Sequence, residues 1–357
     1  MAEKFVTVFL DTPNVELNDY YIDETFSLIE TAGGEVLQTF TQKRDTPDNK
    51  FAIGKGKVDE VLSFIQDQPV DGIIFGFDLT STQVKNWNQV SDLKIIDRTQ
   101  LILDIFAQRA SSNEGKIQVE LAQMEYTLPR LMGLGTTLSR LGGGIGTRGP
   151  GETKLEMDRR HLRDKINKLK KELDKIEKIR QTQRKSRQGS SVPKVALVGY
   201  TNSGKTSLLK RLSKSELEGE NKLFATLDPV TKKGYHEGLA YTVTDTVGFV
   251  QNLPHKLVAA FKSTLEEVVY CDLVLHVVDI SSADPIVQIN TVNKVLEELK
   301  AHDKPTIMVF NKIDLPHDEF VLPSMANDHR HINISVKDNI NVDSLKNMIV
   351  EHFSNGM

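Results

Sequence analysis

Apolar and polar positions follow two rhythms over the first hundred residues. Short apolar runs at 5–10, 35–40, 72–76 and 94–97 are rich in Phe, Val and Ile. Runs of that length fit buried strands and are too short for helices. Between them, 20–32, 57–67 and 81–90 repeat their apolar residues at intervals of three and four, the signature of a helix with one buried face. Strands alternating with helices predict a parallel sheet under helical cover. The segment Gly54-Lys55-Gly56-Lys57 lacks the spacing of a phosphate loop and reads as a turn and helix start, with a contact surface as the alternative.

From Thr99 the alternation stops. Residues 101–110 and 116–131 read as two helices, and 153–187 as a long third one. In the third, Leu162, Ile166, Leu169, Leu173 and Ile176 recur at steps of four and three, a heptad seam. Only about two heptads are clean, so the seam is expected to close a helical hairpin against 101–131 rather than a dimeric zipper. Between the helices lies a glycine loop, 141–151, whose residues 144–149 spell G-x-G-x-x-G. A dinucleotide fold needs a strand directly before that motif, and here a helix precedes it. The loop reads either as a flexible linker or, through Arg140 and Arg148, as a place of close backbone approach to nucleic acid. Residues 188–193, Gln-Gly-Ser-Ser-Val-Pro, form a linker by composition.

Charge sharpens this division. Residues 1–129 carry 11 Lys/Arg and 21 Asp/Glu; residues 130–187 carry 17 and 7; residues 188–357 carry 17 and 21. A chain of net charge −4 thus gathers its positive charge in the hairpin, the footprint of a surface that meets a polyanion such as RNA. The lone Cys271 fits a reducing compartment. No apolar run approaches the roughly 18 residues of a membrane helix, and 5–10 reads as a strand rather than a signal peptide, so a cytoplasmic location is expected.

The chemistry lies after Lys194. The run Gly199-Tyr200-Thr201-Asn202-Ser203-Gly204-Lys205-Thr206 fits G-x-x-x-x-G-K-[ST] between an apolar strand, 195–198, and a helix, 206–212. Its backbone N–H groups and the helix N-terminus form an anion nest. Lys205 belongs on the β- and γ-phosphates, and the Thr206 hydroxyl suits Mg²⁺. The strand expected at 242–248 ends in D-x-x-G: Asp245 holds Mg²⁺ through water, beside Thr246 and Val247, and the Gly248 N–H reports the γ-phosphate. An apolar strand at 306–310 delivers Asn311-Lys312-Ile313-Asp314, whose aspartate pairs with the N1–H and amino group of guanine and so selects GTP over ATP. A strand and loop at 332–337 brings Ser335, Val336 and Lys337 behind the base. In the switch loop, Phe224-Ala225-Thr226-Leu227-Asp228, Thr226 is the expected Mg²⁺ and γ-phosphate residue, with Thr231 the runner-up. Lys205, Thr226 and Gly248 are the expected catalytic groups.

With these motifs in order, the chain resembles the HflX family of ribosome-associated GTPases. The resemblance extends to Asp97-Arg98-Thr99, 103–107, 120–123, Leu128-Pro129-Arg130-Leu131, the loop 139–153 and Asp158-Arg159-Arg160, and covers about residues 5–350. It implies an N-terminal α/β subdomain (1–98), a helical subdomain with the basic glycine loop (99–187), the linker and a P-loop GTPase domain (194–357) with a mostly parallel sheet. It implies Mg²⁺ ligation by Thr206 and Thr226, guanine reading by Asn311, Lys312 and Asp314, and hydrolysis of GTP to GDP. It further implies that the protein binds the large ribosomal subunit and its rRNA, and dissociates stalled or idle ribosomes. A monomer is expected. Phe249 stands where a water-orienting Gln often follows D-x-x-G, so slow intrinsic hydrolysis and stimulation by ribosomes are expected. Asn202 either contributes to a K⁺ site at the phosphates or caps its own turn. The rival readings are a nucleotide-gated assembly scaffold and, against Asp314, an ATP-driven RNA remodeller.

Overall fold

The computed structural model describes residues 2–13, 17–141, 150–187, 192–213, 223–224, 227–253, 262–317 and 330–354. The glycine loop at 142–149 and most of the 188–193 linker lie outside the described residues. The chain divides into two compact units, one of residues 1–108 and 116–176, the other of 109–115 and 177–357.

In the first unit, strands β1 (Glu3–Asp11), β2 (Gly34–Lys43), β3 (Gly72–Phe75) and β4 (Lys94–Asp97) form a parallel sheet in the order β2-β1-β3-β4. Helices α1 (Asp19–Thr31), α2 (Lys55–Asp67) and α3 (Ser81–Val90) connect them. Asn18 caps α1, and Thr80 with Gln83 forms a capping box on α3. Residues 54–57 form the start of α2, with Gly54 at the cap. The sheet buries Val6, Val8, Ile73 and Phe75 against Ile53, Val58, Val61 and Trp87.

Two helices follow, α4 (Arg98–Arg109) and α5 (Asn113–Leu141), then α6 (Pro150–Arg187). The heptad seam closes a hairpin: Ile166 and Leu169 of α6 are buried with Ile117 and Leu121 of α5, flanked by Leu162, Leu173 and Ile176. Lys165–Glu120 and Lys170–Glu125 ion pairs flank the seam, while Arg163, Lys168, Lys171 and Lys175 remain exposed. The motif residues Asp97 and Arg130 meet at the end of β4. The Asp97 carboxylate is fully buried and accepts from Leu79 N and Gln100 N, each at 3.0 Å, from the Tyr126 hydroxyl and from Arg130. A buried charge is tolerable only with such a full set of donors.

The second unit is built on a six-stranded sheet in the order β10-β9-β8-β5-β7-β6. Its strands are β5 (Lys194–Gly199), β6 (Val230–His236), β7 (Leu239–Asp245), β8 (Leu273–Asp279), β9 (Thr306–Asn311) and β10 (Arg330–Asn333). All pairings are parallel except the β6–β7 hairpin. Its helices include α7 (Lys205–Ser213), α8 (Lys262–Val269), α9 (Pro285–Glu298) and α10 (Val342–Ser354). Leu208, Leu209 and Leu212 of α7 pack on Val195, Leu197, Val243 and Leu275. The strand expected to run through Gly248 ends at Asp245, because Thr246 leaves the ladder and turns its hydroxyl onto Leu197 O at 2.7 Å. The edge strand β6 escapes sequence pattern because Lys232 and Lys233 interrupt its alternation.

Candidate nucleotide site

Strand β5 lies in the interior of the sheet and releases the chain at Gly199 into the loop 200–204, which feeds the first turn of α7. Gly204 sits at φ +98°, where other L-residues are strained, and a side chain there would collide with the Asn311 amide. Lys205 is 6% exposed. Its Nζ donates to Gly199 O at 3.0 Å and Tyr200 O at 2.7 Å, so the ammonium rests on the loop's own carbonyls. Burial lowers its pKa from the usual 10.5 to about 8, against the opposing pull of Asp245. The Thr201 and Ser203 hydroxyls are buried and have no hydrogen-bond partner among the described residues.

The second motif comes to the same place. The Thr206 hydroxyl donates to Asp245 Oδ2 at 2.6 Å, joining the start of α7 to the end of β7. Gly248 packs so closely on Thr201 and the Lys205 ammonium that a side chain would have to displace them. Thr201 N donates to Phe249 O at 2.8 Å, and Phe249 N to Gly199 O at 3.2 Å, so the D-x-x-G segment is stitched to the phosphate loop. Phe249 itself is fully buried. The Tyr200 hydroxyl accepts from Gln251 N at 2.6 Å. Thr206 and Asp245 together offer hard oxygen donors, which suit Mg²⁺.

The third and fourth motifs are joined by one side chain. Asn311, 3% exposed, donates from Nδ2 to Ser203 O at 2.8 Å and accepts at Oδ1 from Val336 N at 3.1 Å. It therefore fastens the phosphate loop to the 335–337 loop. Ser335 Oγ donates to Asp314 Oδ1 at 2.6 Å, and Lys337 Nζ lies 3.9 Å from Asp314 Oδ2. The Ser335 hydroxyl, against some desolvation, holds the Asp314 carboxyl below the ordinary range, so it is ionised at neutral pH. Lys312 pairs with Asp279 at 2.5 Å, and Ile313 N donates to Ile334 O at 3.3 Å.

The switch loop is described only at its flanks. Ala225 and Thr226 lie outside the described residues; Phe224 and Leu227 are buried on either side. Thr231, the alternative to Thr226, lies in β6 with its hydroxyl 2.9 Å from that of Thr244. Asp228 places its carboxylate on Ser111 and Ser112.

Sequence reasoning missed four residues. Asp279 ends β8 and carries the Lys312 ammonium; an Asp closing an apolar run was the available signal. Arg211 of α7 donates to Val336 O and Lys337 O, both at 3.2 Å, and no motif announces it. The Ser111–Ser112 pair between α4 and α5 donates to Asp228, and no motif announces it.

Comparison with known proteins agrees with this geometry. Residues 19–107 match the family model described as GTP-binding GTPase N-terminal, 109–187 the GTP-binding GTPase middle region, and 194–312 the 50S ribosome-binding GTPase. The chain is 52% identical over 325 residues to the GTPase HflX of Caldanaerobacter subterraneus subsp. tengcongensis, covering 91% of this chain and 75% of that one. It is 45% identical over 298 residues to the GTPase HflX of Escherichia coli, covering 83% and 70%. A crystal structure of a Sulfolobus solfataricus GTP-binding protein with GDP shares the fold, at 24% identity, TM-score 0.51, and coverage of 99% and 100%. Fold, ordered motifs and sequence identity converge: the chain belongs to the HflX family of GTPases.

Proposed function

We propose that this chain is a magnesium-dependent GTPase of the cytoplasm that binds the large ribosomal subunit and, with GTP bound, dissociates stalled or idle ribosomes. The observation that carries the nucleotide reading is the Asn311 bridge, which fixes the phosphate loop and the base loop in one register. Gly199, Tyr200, Thr201, Asn202, Ser203 and Gly204 form the phosphate cradle, and the partnerless Thr201 and Ser203 hydroxyls suit an oxygen-rich ligand. Lys205 exchanges Gly199 O and Tyr200 O for phosphate oxygens. Mg²⁺ held by Thr206 and Thr226, with Asp245 behind, would offset phosphate charge. Asp314, ionised and oriented by Ser335, accepts from guanine, while Lys312, Ile313, Val336 and Lys337 complete the base pocket.

Hydrolysis in this site lacks a side chain to orient water after Gly248. Phe249 is buried in packing, so hydrolysis is slow until the ribosome completes the site. Asn202, at φ +60°, is offered as part of a K⁺ site; equal turnover in Na⁺ and K⁺ would exclude it. The ribosome reading rests on the exposed basic face of α6 and on the likeness of residues 194–312 to the 50S ribosome-binding GTPase family. In this reading the basic glycine loop and helix within 99–187 are the RNA-facing parts, 1–98 is the N-terminal α/β subdomain, 188–193 the linker and 194–357 the GTPase domain, acting as a monomer.

Sedimentation of intact ribosomes with protein and GTP, or a non-hydrolysable analogue, tests the proposal. Separation into subunits is expected, with Lys205→Ala abolishing it and Asp314→Asn abolishing guanine preference. Intact or immature particles carrying bound protein would instead favour an assembly scaffold.

A further inference from the structure

The start of α5 is built as a receptor for one carboxylate. Ser112 caps the helix, its Oγ accepting from Gly115 N at 2.9 Å. Asp228 lies over this end. Its Oδ2 accepts from Ser111 N at 3.0 Å, Ser112 N at 2.7 Å and Ser111 Oγ at 2.7 Å, and its Oδ1 from Ser112 Oγ at 2.5 Å. Gly115 leaves the room: a Cβ there would strike the Asp228 carboxylate. The Arg180–Glu114 pair at 2.9 Å joins the same turn to α6.

Asp228 follows Thr226 by two residues and precedes β6 by two. Asp228 is held through its carboxylate and its neighbour Leu227 is buried, so the described end of the switch loop is anchored. We infer that Asp228 is a positioning residue: by docking on the Ser111–Ser112 cap it fixes the root of the switch loop ahead of β6, so that the loop's response to the γ-phosphate and the order of the first turn of α5 are set together. Because such coupling is reciprocal, GTP should stabilise the cap as much as the cap favours GTP. The first turn of α5 belongs to the second unit and the helix continues into the first, so the cap is where nucleotide state would enter the hairpin. The inference rests on the GTPase reading above and deepens it.

The test compares full-length Asp228→Asn, Ser111→Ala/Ser112→Ala, the triple variant, Ser112→Thr and Gly115→Ala. Each is titrated with GDP and a non-hydrolysable GTP analogue in Mg²⁺, with hydrogen exchange followed at residues 111–115. Asp228→Asn removes the carboxylate charge and leaves one acceptor oxygen where two accept now, so it should weaken the GTP analogue about tenfold, roughly 1.4 kcal/mol, and leave GDP within twofold. The double serine variant should do the same, and the triple should add little further, as expected for partners in one interaction. Ser112→Thr, which keeps the hydroxyl, should retain the parent's analogue affinity. Gly115→Ala should weaken the analogue selectively. The analogue should protect residues 111–115 in the parent and not in Asp228→Asn. Equal losses for both nucleotides, additive effects or no nucleotide-dependent protection would overturn the inference while leaving the GTPase reading intact. A parent without Mg²⁺-dependent GTP affinity would overturn both.

Discussion

Asn311→Ala separates the architecture of the site from its chemistry. The substitution removes two hydrogen bonds at once and leaves Ser203 O and Val336 N without their partner in a buried setting. Each buried group left unsatisfied costs about 1–3 kcal/mol. Both loops lie at the surface end of the sheet and can relax toward water, so the low end applies, about 2–3 kcal/mol together. For a domain of this size that corresponds to a fall of about 4–12 °C in Tm. The loss should appear in protein stripped of nucleotide, because both bonds run between protein groups and neither is made to a ligand. Scanning calorimetry on nucleotide-free protein measures this directly, and GDP titration then gives the further loss in binding. Asn311→Asp should lose at least as much stability, since it sets a carboxylate oxygen against Ser203 O. If Asn311→Ala melted with the parent when nucleotide-free and lost only GDP affinity, the bridge would carry no structural weight and the reasoning would be refuted.

Three further outcomes follow from other parts of the molecule. Lys205 has a folded pKa of about 8, below its usual 10.5. The unfolded chain therefore binds more protons between these values, and nucleotide-free stability should rise as pH increases through that window and fall again as pH drops through about 8; denaturant midpoints from pH 7 to 10 check this, and a flat profile shared with Lys205→Met would contradict it. Arg130→Ala leaves the fully buried Asp97 short of a cationic partner and should cost about 3–5 kcal/mol in the first unit, read by chemical denaturation. Phe249→Gln should destabilise the second unit by burying an amide without raising basal GTP turnover, because the side chain lies in packing; a rate gain in a phosphate-release assay would show that the position reaches the attacking water.

Much of this protein was legible in one dimension because the physics involved is local. Apolar periodicity alone placed the strand at 5–10 and the helix at 20–32, since burial of one face is written into residue spacing. The heptad at Leu162–Ile176 announced a seam, and the P-loop, D-x-x-G, N-K-x-D and 335–337 segments were each recognisable because a phosphate nest or a base-reading carboxylate needs particular residue types at fixed spacing. What sequence left undetermined was which distant segments meet. The antiparallel edge strand β6 was hidden because two lysines occupy positions whose pairing with β7 is decided by the whole sheet. Asn311 reads as a base contact by motif, yet its observed bonds run to Ser203, 108 positions away, and to Val336. Arg211, Asp279 and the Ser111–Ser112 cap carry no motif because each acts on a partner supplied by the fold. Local sequence thus determined the elements and the chemical inventory. Only tertiary packing, by bringing buried donors to buried acceptors that could not be left unpaired, decided how those parts are held in one site.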